Sequence, residues 1–499
     1  MKKGGHGALL AQPHPYCPWR EEAEELRERL TCVEAQVQEL QRRVFGRSSE
    51  RLPSVAEELR QQQDEEEGQQ AVAQAALDKR RERAAVRAAL PSREVHHEVP
   101  AEQRACASCG GTQLKPVGEG KRSVVYEYIP ARLERQVHVQ QTLACQCGEG
   151  LVTAPGPVRL GDKSQYGPGL VAHLVVAKCA DSLPLHRLAR ALERQGVPMA
   201  RSTLTDLFHL AAREVAPLAD RLLEEIAAQH VVQADETPLK VQAPGKTRQG
   251  FLWTFLAEDE EQTPRIGYRF SPSRSGQTPV EVLGGTQGAL VVDGHTGYNP
   301  VTTPEGRTRV GCWAHARRKF FKALTTAPEA QRALDFIREL YRVEHEALAA
   351  RIVRTPEHKA WRQEKSAPVL EQFKLWLEQQ EPLHPPKGPL GMAMGYVRGQ
   401  WESLGRFVED ARLPLDNNRS ERALRTAAVG RKNFLFVGHD EAGRNLAGLY
   451  SLVATCGANE INPEAYLADV LMRVQSHPNS HLDELLPVAW KRLRTADTS

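Results

Sequence analysis

From Glu21 to Val44 the large apolar residues are Leu26, Leu30, Val33, Val37, Leu40 and Val44, at alternating spacings of four and three. That is a heptad seam for a short coiled coil between subunits, and equally the stripe of an amphipathic helix lying on its own core. Pro53 ends it. From Pro53 to about Val95 the chain is rich in Gln, Glu, Ala and Arg and poor in large apolar residues, which predicts a flexible linker. Between the first and second cysteine pairs, "SVVYEYIPARLERQVHVQQTLAC" alternates like two strands around a Pro turn. From Pro168 to Ile226 the period becomes helical. "GLVAHLVVAKCADS" and "PLHRLARALERQ" predict two amphipathic helices, and "GVPMARSTL" predicts a turn into a third helix with Ser202 as its N-cap.

At Val231 the period changes to two. "VVQADET" predicts a short strand ending in an acid, and "GFLWTFLAE" and "PRIGYRF" predict two more strands. A short helix follows near Thr278 to Leu283, then "GALVVDGH", a buried strand ending in Asp293. Three strands, a helix and a further strand, with acids at the ends of the first and fourth, is the order of a ribonuclease-H-like domain. "TRVGCWAHARRKFFKAL" supplies the next strand and helix. Thr326 to Gly405 has helical spacing, as in Leu334, Ile337, Leu340 and Tyr341, and the Pro-rich "EPLHPPKGPL" interrupts it.

The expected fold is therefore multidomain α+β: a ribonuclease-H-like α/β core with a helical insertion, preceded by a coiled-coil helix, a zinc-binding module and a helix-turn-helix region. The expected boundaries are 1–52 for the N-terminal helix, 53–95 for the linker, 96–155 for the zinc module and 160–228 for the helix-turn-helix. The core spans 229–325 and 406–450, split by the insertion at 326–405, and a helical segment closes the chain at 451–499.

The 499 residues carry 66 basic and 63 acidic side chains, so a net charge of +3 neither favours nor excludes nucleic acid, and local clusters must decide. No apolar run is long enough to cross a membrane, and the first residues have no signal-like apolar region, so a cytoplasmic location is expected. The cysteines number nine, and four fall into close pairs, Cys106 with Cys109 and Cys145 with Cys147. Two pairs on turns can present four thiolates tetrahedrally to Zn²⁺, and an odd total suits a reducing compartment better than a disulfide framework. Arg187, Arg190, Arg194 and Arg201 surround the helix-turn-helix pattern and can meet phosphates. A second basic cluster includes Arg317, Arg318 and Lys319. Its aromatic neighbours read as core, and Cys312 and His315 as a packed thiol and a hydrogen-bonded imidazole.

The densest cluster is "PLDNNRSERALRTAAVGRKNFLF", where Arg419, Arg422, Arg425, Arg431 and Lys432 outnumber Asp416 and Glu421. Asn418 and Glu421 have the spacing of a capping box, in which the glutamate reaches back to an orphan backbone N–H. The competing reading makes Glu421 a metal ligand beside a polyanion. Three carboxylates about 4 Å apart repel by roughly 4 kcal/mol per pair at an effective dielectric near 20, which a fold tolerates when some are protonated or a cation sits between them. Mg²⁺ or Mn²⁺ fits such an all-oxygen set.

In order along the chain, "RVFGRSSERLP", the paired cysteines, "LPLHRLARALERQGVPMARSTL", "QADETPLKV", "DGHTGYNPV", "CWAHARRKFF", "LDNNRSERALRTAAVGRKNFLFVGHDEAGRNLAGLYSLVATC" and "NPEAYLADVLMRV" resemble the bacterial transposases of insertion sequence family 66. The resemblance implies a DDE transposase with the triad Asp235, Asp293 and Glu421 holding Mg²⁺. It also implies binding to terminal inverted repeats and target DNA, and small accessory proteins as partners. His295 stands where the family more often has tyrosine. Homo-oligomers are expected. The implied reaction is 3′-end cleavage followed by strand transfer. Alternatives are a decayed or domesticated DNA-binding copy and a ribonuclease-H-like nuclease without strand transfer.

Overall fold

The computed structural model describes residues 133–144, 151–157, 159–161 and 164–497, with a few exposed helical residues between 77 and 85. All of them belong to one compact unit, residues 67–499. The heptad seam, most of the linker and all four paired cysteines lie outside the described residues. A small antiparallel hairpin, β1 (Thr142–Ala144) with β2 (Leu151–Thr153), is the described part of the cysteine-containing segment.

Four helices follow: α1 (Pro168–Cys179), α2 (Leu185–Arg194), α3 (Arg201–Glu214) and α4 (Ala216–Ala228). The turn between α2 and α3 runs where the sequence predicts. The cap differs: α3 begins at Arg201 after Ala200, with no side-chain cap, so Ser202 is already inside the helix.

The centre is a five-stranded sheet in the order β5-β4-β3-β6-β7. Here β3 is Val231–Ala243, β4 Lys246–Glu258, β5 Pro264–Ser271, β6 Gly288–Val291 and β7 Arg307–Val310. The first three are antiparallel neighbours; β6 runs parallel to β3, and β7 parallel to β6. Helix α5 (Gln277–Leu283) connects β5 to β6. The predicted strand at "VVQADET" is only the first half of β3. Its continuation contains Pro238 and Lys240, which obscure the alternation, and Asp235 therefore sits mid-strand rather than at a strand end. Pro is tolerated there because β6 pairs only with Val231–Gln233, leaving one edge of β3 without a strand partner until Val437 bridges Val241.

Period-two alternation divides the sheet into two buried faces. Leu290, Val292, Val232 and Ala234 join α1–α4 and the C-terminal helices in one core. Ala289, Val291 and Val310 join a second core with α6 (Trp313–Ala323) and the helices after it. Trp313 and Phe320 are buried there as expected, whereas Phe321 is exposed. The predicted insertion is helical: α7 (Ala330–Ala349), α8 (Pro356–Trp361), α9 (Ala367–Gln380), α10 (Pro389–Gly399) and α11 (Trp401–Gly405). The Pro-rich stretch separates α9 from α10. Chain direction then returns to the sheet through α12 (Asn418–Phe434), followed by α13 (Asp440–Ala458), α14 (Pro463–Arg473) and α15 (Pro487–Asp497). Helix α13 covers the edge strand β5: Ser451 and Thr455 hydroxyls accept from the Tyr268 and Ile266 amides. That contact blunts an otherwise pairable strand edge.

Candidate catalytic site at the open edge of the central strand

Alternation places Asp235 on the face of Val231 and Asp293 on the face of Ala289 and Val291, so both acids point toward the second core. Glu421 arrives from α12, which docks on the open edge of β3. The Asn417 side chain, at the helix N-cap, donates through Nδ2 to the Ala234 carbonyl at 2.7 Å, and the Arg431 guanidinium donates to the Pro238 carbonyl and the Thr237 hydroxyl at 2.7 Å each. Side-chain donors thus replace a neighbouring strand, and they set the first turn of α12 beside Asp235.

A second tie fixes the segment after Asp293. The Tyr298 hydroxyl donates to Glu236 Oε2 at 2.7 Å, while Arg274 Nε donates to Oε1 at 2.8 Å. Glu236 is therefore a structural neighbour of the acid pair, on the opposite face of the strand from Asp235. Sequence reading passed over it because it directly follows a more conspicuous acid.

The capping question has a definite answer. Asn418 N–H donates to Asp416 Oδ1 at 3.0 Å, and Asp416 Oδ2 accepts from the Tyr341 hydroxyl of α7 at 2.7 Å. Asp416 takes the role that the Asn418–Glu421 spacing assigns to Glu421, so the predicted capping box does not form. Glu421 is released to face α6, where Arg318 Nη2 lies 3.3 Å from Oε2 and His315 Nδ1 lies 3.7 Å from Oε1. Cys312 is a buried thiol that accepts the Asn417 amide at 3.2 Å, not half of a metal site.

Burial first, then the charges of Glu236, Glu421 and Asp293, push the Asp235 carboxyl up to about 8. The unfolded chain loses this proton near the ordinary carboxylate value of 3.8. Between these values the fold holds the extra proton, so metal-free stability is fully supported below the lower value and declines as pH rises through about 8. Asp235→Asn is expected to flatten that decline, which thermal melts in chelator across the pH range will read.

The predicted phosphate-binding residues separate into groups. Arg187, Arg190, Arg194, Arg201, Arg422, Arg425 and Lys432 are exposed. Lys319 is exposed, with its ammonium 4.5 Å from the centre of the Tyr396 ring. Arg419 is ion-paired with Glu258 and Arg318 with Glu421, while Arg431 is hydrogen-bonded to the β3 edge as above. Arg317 is 9% exposed, so its guanidinium is not presented to a phosphate. Periodicity cannot separate these groups because their partners are distant in sequence.

Residues 163–445 match the family described as transposase IS66, a span that includes Asp235, Asp293 and Glu421. The chain belongs to the transposase IS66 family. Further matches cover the IS66 C-terminal element at 451–488 and the zinc-finger binding domain of transposase IS66 at 103–148. Residues 33–95 match the element described as transposase C of IS166 homeodomain. Among related proteins of Sinorhizobium fredii, y4jD is 35% identical, over 78% of this chain and 79% of its own length. The protein y4hP is 29% identical over 94% and 90%, and y4qI 32% identical over 80% and 75%. The zinc-finger match encloses all four paired cysteines of this IS66 transposase. Among the described residues no helix is long and apolar enough to cross a membrane.

Proposed function

We propose that this IS66 transposase binds the terminal inverted repeats of its element and carries out Mg²⁺-dependent 3′-end cleavage and strand transfer by a DDE mechanism. The observation that carries the proposal is the approach of three acids from distant parts of the chain to the open edge of the central strand β3, where the charges of both Asp293 and Glu421 act on Asp235. The order of three antiparallel strands followed by two parallel ones supports a ribonuclease-H-like reading of the core.

The donor set suits Mg²⁺ or Mn²⁺: all three ligands are carboxylates, and mutual repulsion at Asp235 is what a divalent cation relieves. As they stand, among the described residues, no three acidic, His or Cys side chains are close enough to hold an ion. Glu421, paired with Arg318, is the member that must turn inward. When bound, the ions supply an activated water or 3′-hydroxyl and stabilise the leaving oxygen. The chain itself supplies placement: Asn417 holds the α12 terminus, Glu236 and Tyr298 hold the turn after Asp293, and Arg422 and Arg425 offer charge to a neighbouring backbone. Arg187, Arg190, Arg194 and Arg201 give the helical region a basic face for repeat DNA. Homo-oligomerisation through the N-terminal heptad seam and cooperation with accessory proteins complete this reading.

The test is incubation of the purified protein with labelled terminal-repeat duplex, target DNA and Mg²⁺. Joined products are expected. Cleavage without joining would indicate a nuclease, and binding with neither reaction, even with accessory proteins added, a decayed copy. For the cysteine module, metal analysis is expected to find about one Zn²⁺ per chain, lost in the Cys106→Ser/Cys109→Ser variant. Metal-free protein from chelator-free preparation would remove zinc from the account.

A further inference from the structure

Helix α12 ends in a conformation that a bulky residue rarely adopts. Leu435 has φ 65° and ψ −44°, and the Phe436 N–H donates to the Phe434 carbonyl at 2.8 Å. This i→i+2 closure is the rare, strained form of the γ-turn. Helix ends with positive φ ordinarily carry Gly; this one carries Leu, with its side chain in solvent. Leu435 is 63% exposed and Phe436 39%. The backbone on either side is pinned. Leu435 N–H donates to the Arg431 carbonyl at 3.0 Å, Val437 N–H to the Lys240 carbonyl at 2.9 Å, and Gln242 N–H to the Val437 carbonyl at 2.8 Å. The turn therefore cannot relax by fraying, and the strain holds two apolar side chains outward. Strain kept at an exposed position points to a task.

The surroundings identify the partner. Arg422, Arg425, Val429 and Lys432 are exposed at spacings of three and four, so they form one stripe along α12 from the Glu421 end to the turn. Lys240, on the strand that pins the turn, is exposed as well. Asp440, at the start of α13 just beyond, is taken by Arg248, which leaves Glu441 as the exposed acid of that first turn. An apolar pair at the end of a basic track matches a duplex: the cations follow phosphates, and the apolar tip enters between base steps. Two independent rulers give the spacing. Fourteen helical residues from Glu421 to Leu435 span about 21 Å, and six strand residues from Asp235 to Val241 span about 20 Å. Either length equals about six base pairs of B-DNA.

We propose that Leu435 and Phe436 form a wedge that unstacks duplex DNA about six base pairs from the phosphate held at the carboxylates. This rests on the DNA-joining reading above. The probe is a synthetic duplex of the element's terminal repeat with 2-aminopurine placed singly at positions around that step; binding is followed by anisotropy and unstacking by fluorescence. The wild type is expected to raise fluorescence severalfold at one or two adjacent positions. Leu435→Ala/Phe436→Ala is expected to bind with similar affinity and give no rise. Leu435→Gly, which removes the steric strain, is expected to raise Tm while weakening the fluorescence change. Bound wild-type duplex without any rise overturns the wedge alone. An equal rise in the double variant does so too, as does a smaller oligomer in the double variant with the fluorescence retained, which assigns the pair to a subunit contact. No binding by the wild type overturns the DNA reading and the wedge with it.

Discussion

Glu421→Gln is expected to lower strand transfer by at least about 10²-fold while leaving repeat binding within a fewfold of wild type. The substitution keeps shape and hydrogen-bonding capacity but removes the charge that a cation needs. Asp235→Asn and Asp293→Asn should behave alike, because the proposed reaction would use the three acids as a unit. The informative contrast is Asp416→Asn. Asp416 is also an acid within the same basic segment, but its oxygens are spent on Asn418 and Tyr341. In the asparagine the remaining oxygen still accepts from the Asn418 N–H, and its NH2 can donate to the Tyr341 hydroxyl, which turns to accept, so activity should survive. Measuring joined products for the two variants side by side separates the ligand from the cap. Full activity in Glu421→Gln would return that residue to a structural role.

The second large effect is expected at a residue that carries no charge. Asn417→Ala removes the bond to the Ala234 carbonyl, next to Asp235. That carbonyl lies on the open edge of β3 and has no strand neighbour to donate to it in place of the lost Asn417 amide, so the cost in stability is about 1–3 kcal/mol. The same change frees the first turn of α12 to shift. A displacement near 1 Å at reacting groups costs on the order of 10²-fold in rate. The expected result is a folded, DNA-binding protein with joining reduced by about that factor and a lowered Tm. Unchanged joining together with a lowered Tm would mean that the Arg431 contacts alone position Glu421.

Local patterns made the succession of strands and helix along the chain legible where each strand had a closed neighbourhood. "PRIGYRF" and "GALVVDGH" alternate or run apolar because both faces are packed, and Gln277–Leu283 stands out as a helix between them. The second half of β3 was not legible, because its neighbour on one side is a helix that donates through Asn417 and Arg431. Polar residues and a proline suit that edge and conceal the strand. The identity of the cap was undecidable for a similar reason. Asp416 and Glu421 both have suitable spacing to Asn418, and Tyr341, donated by the helical insertion 75 residues earlier, settles which is used. The arginines teach the same lesson. Arg419 reads as a phosphate contact until Glu258, on β4, is found beside it. Arg317 lies one position from Arg318 yet faces inward, which helical phase alone could have suggested from buried Trp313, Ala316 and Phe320.

The central claim is that Asp235, Asp293 and Glu421 serve one cation site, with Glu421 leaving Arg318 to do so. Crystals of the protein bound to terminal-repeat DNA in Mn²⁺ would test it through anomalous scattering. The account predicts manganese peaks within about 2.0–2.3 Å of carboxylate oxygens from all three residues, with the Glu421–Arg318 pair broken. Manganese bound by the two aspartates while Glu421 remains on Arg318 and His315 would contradict it.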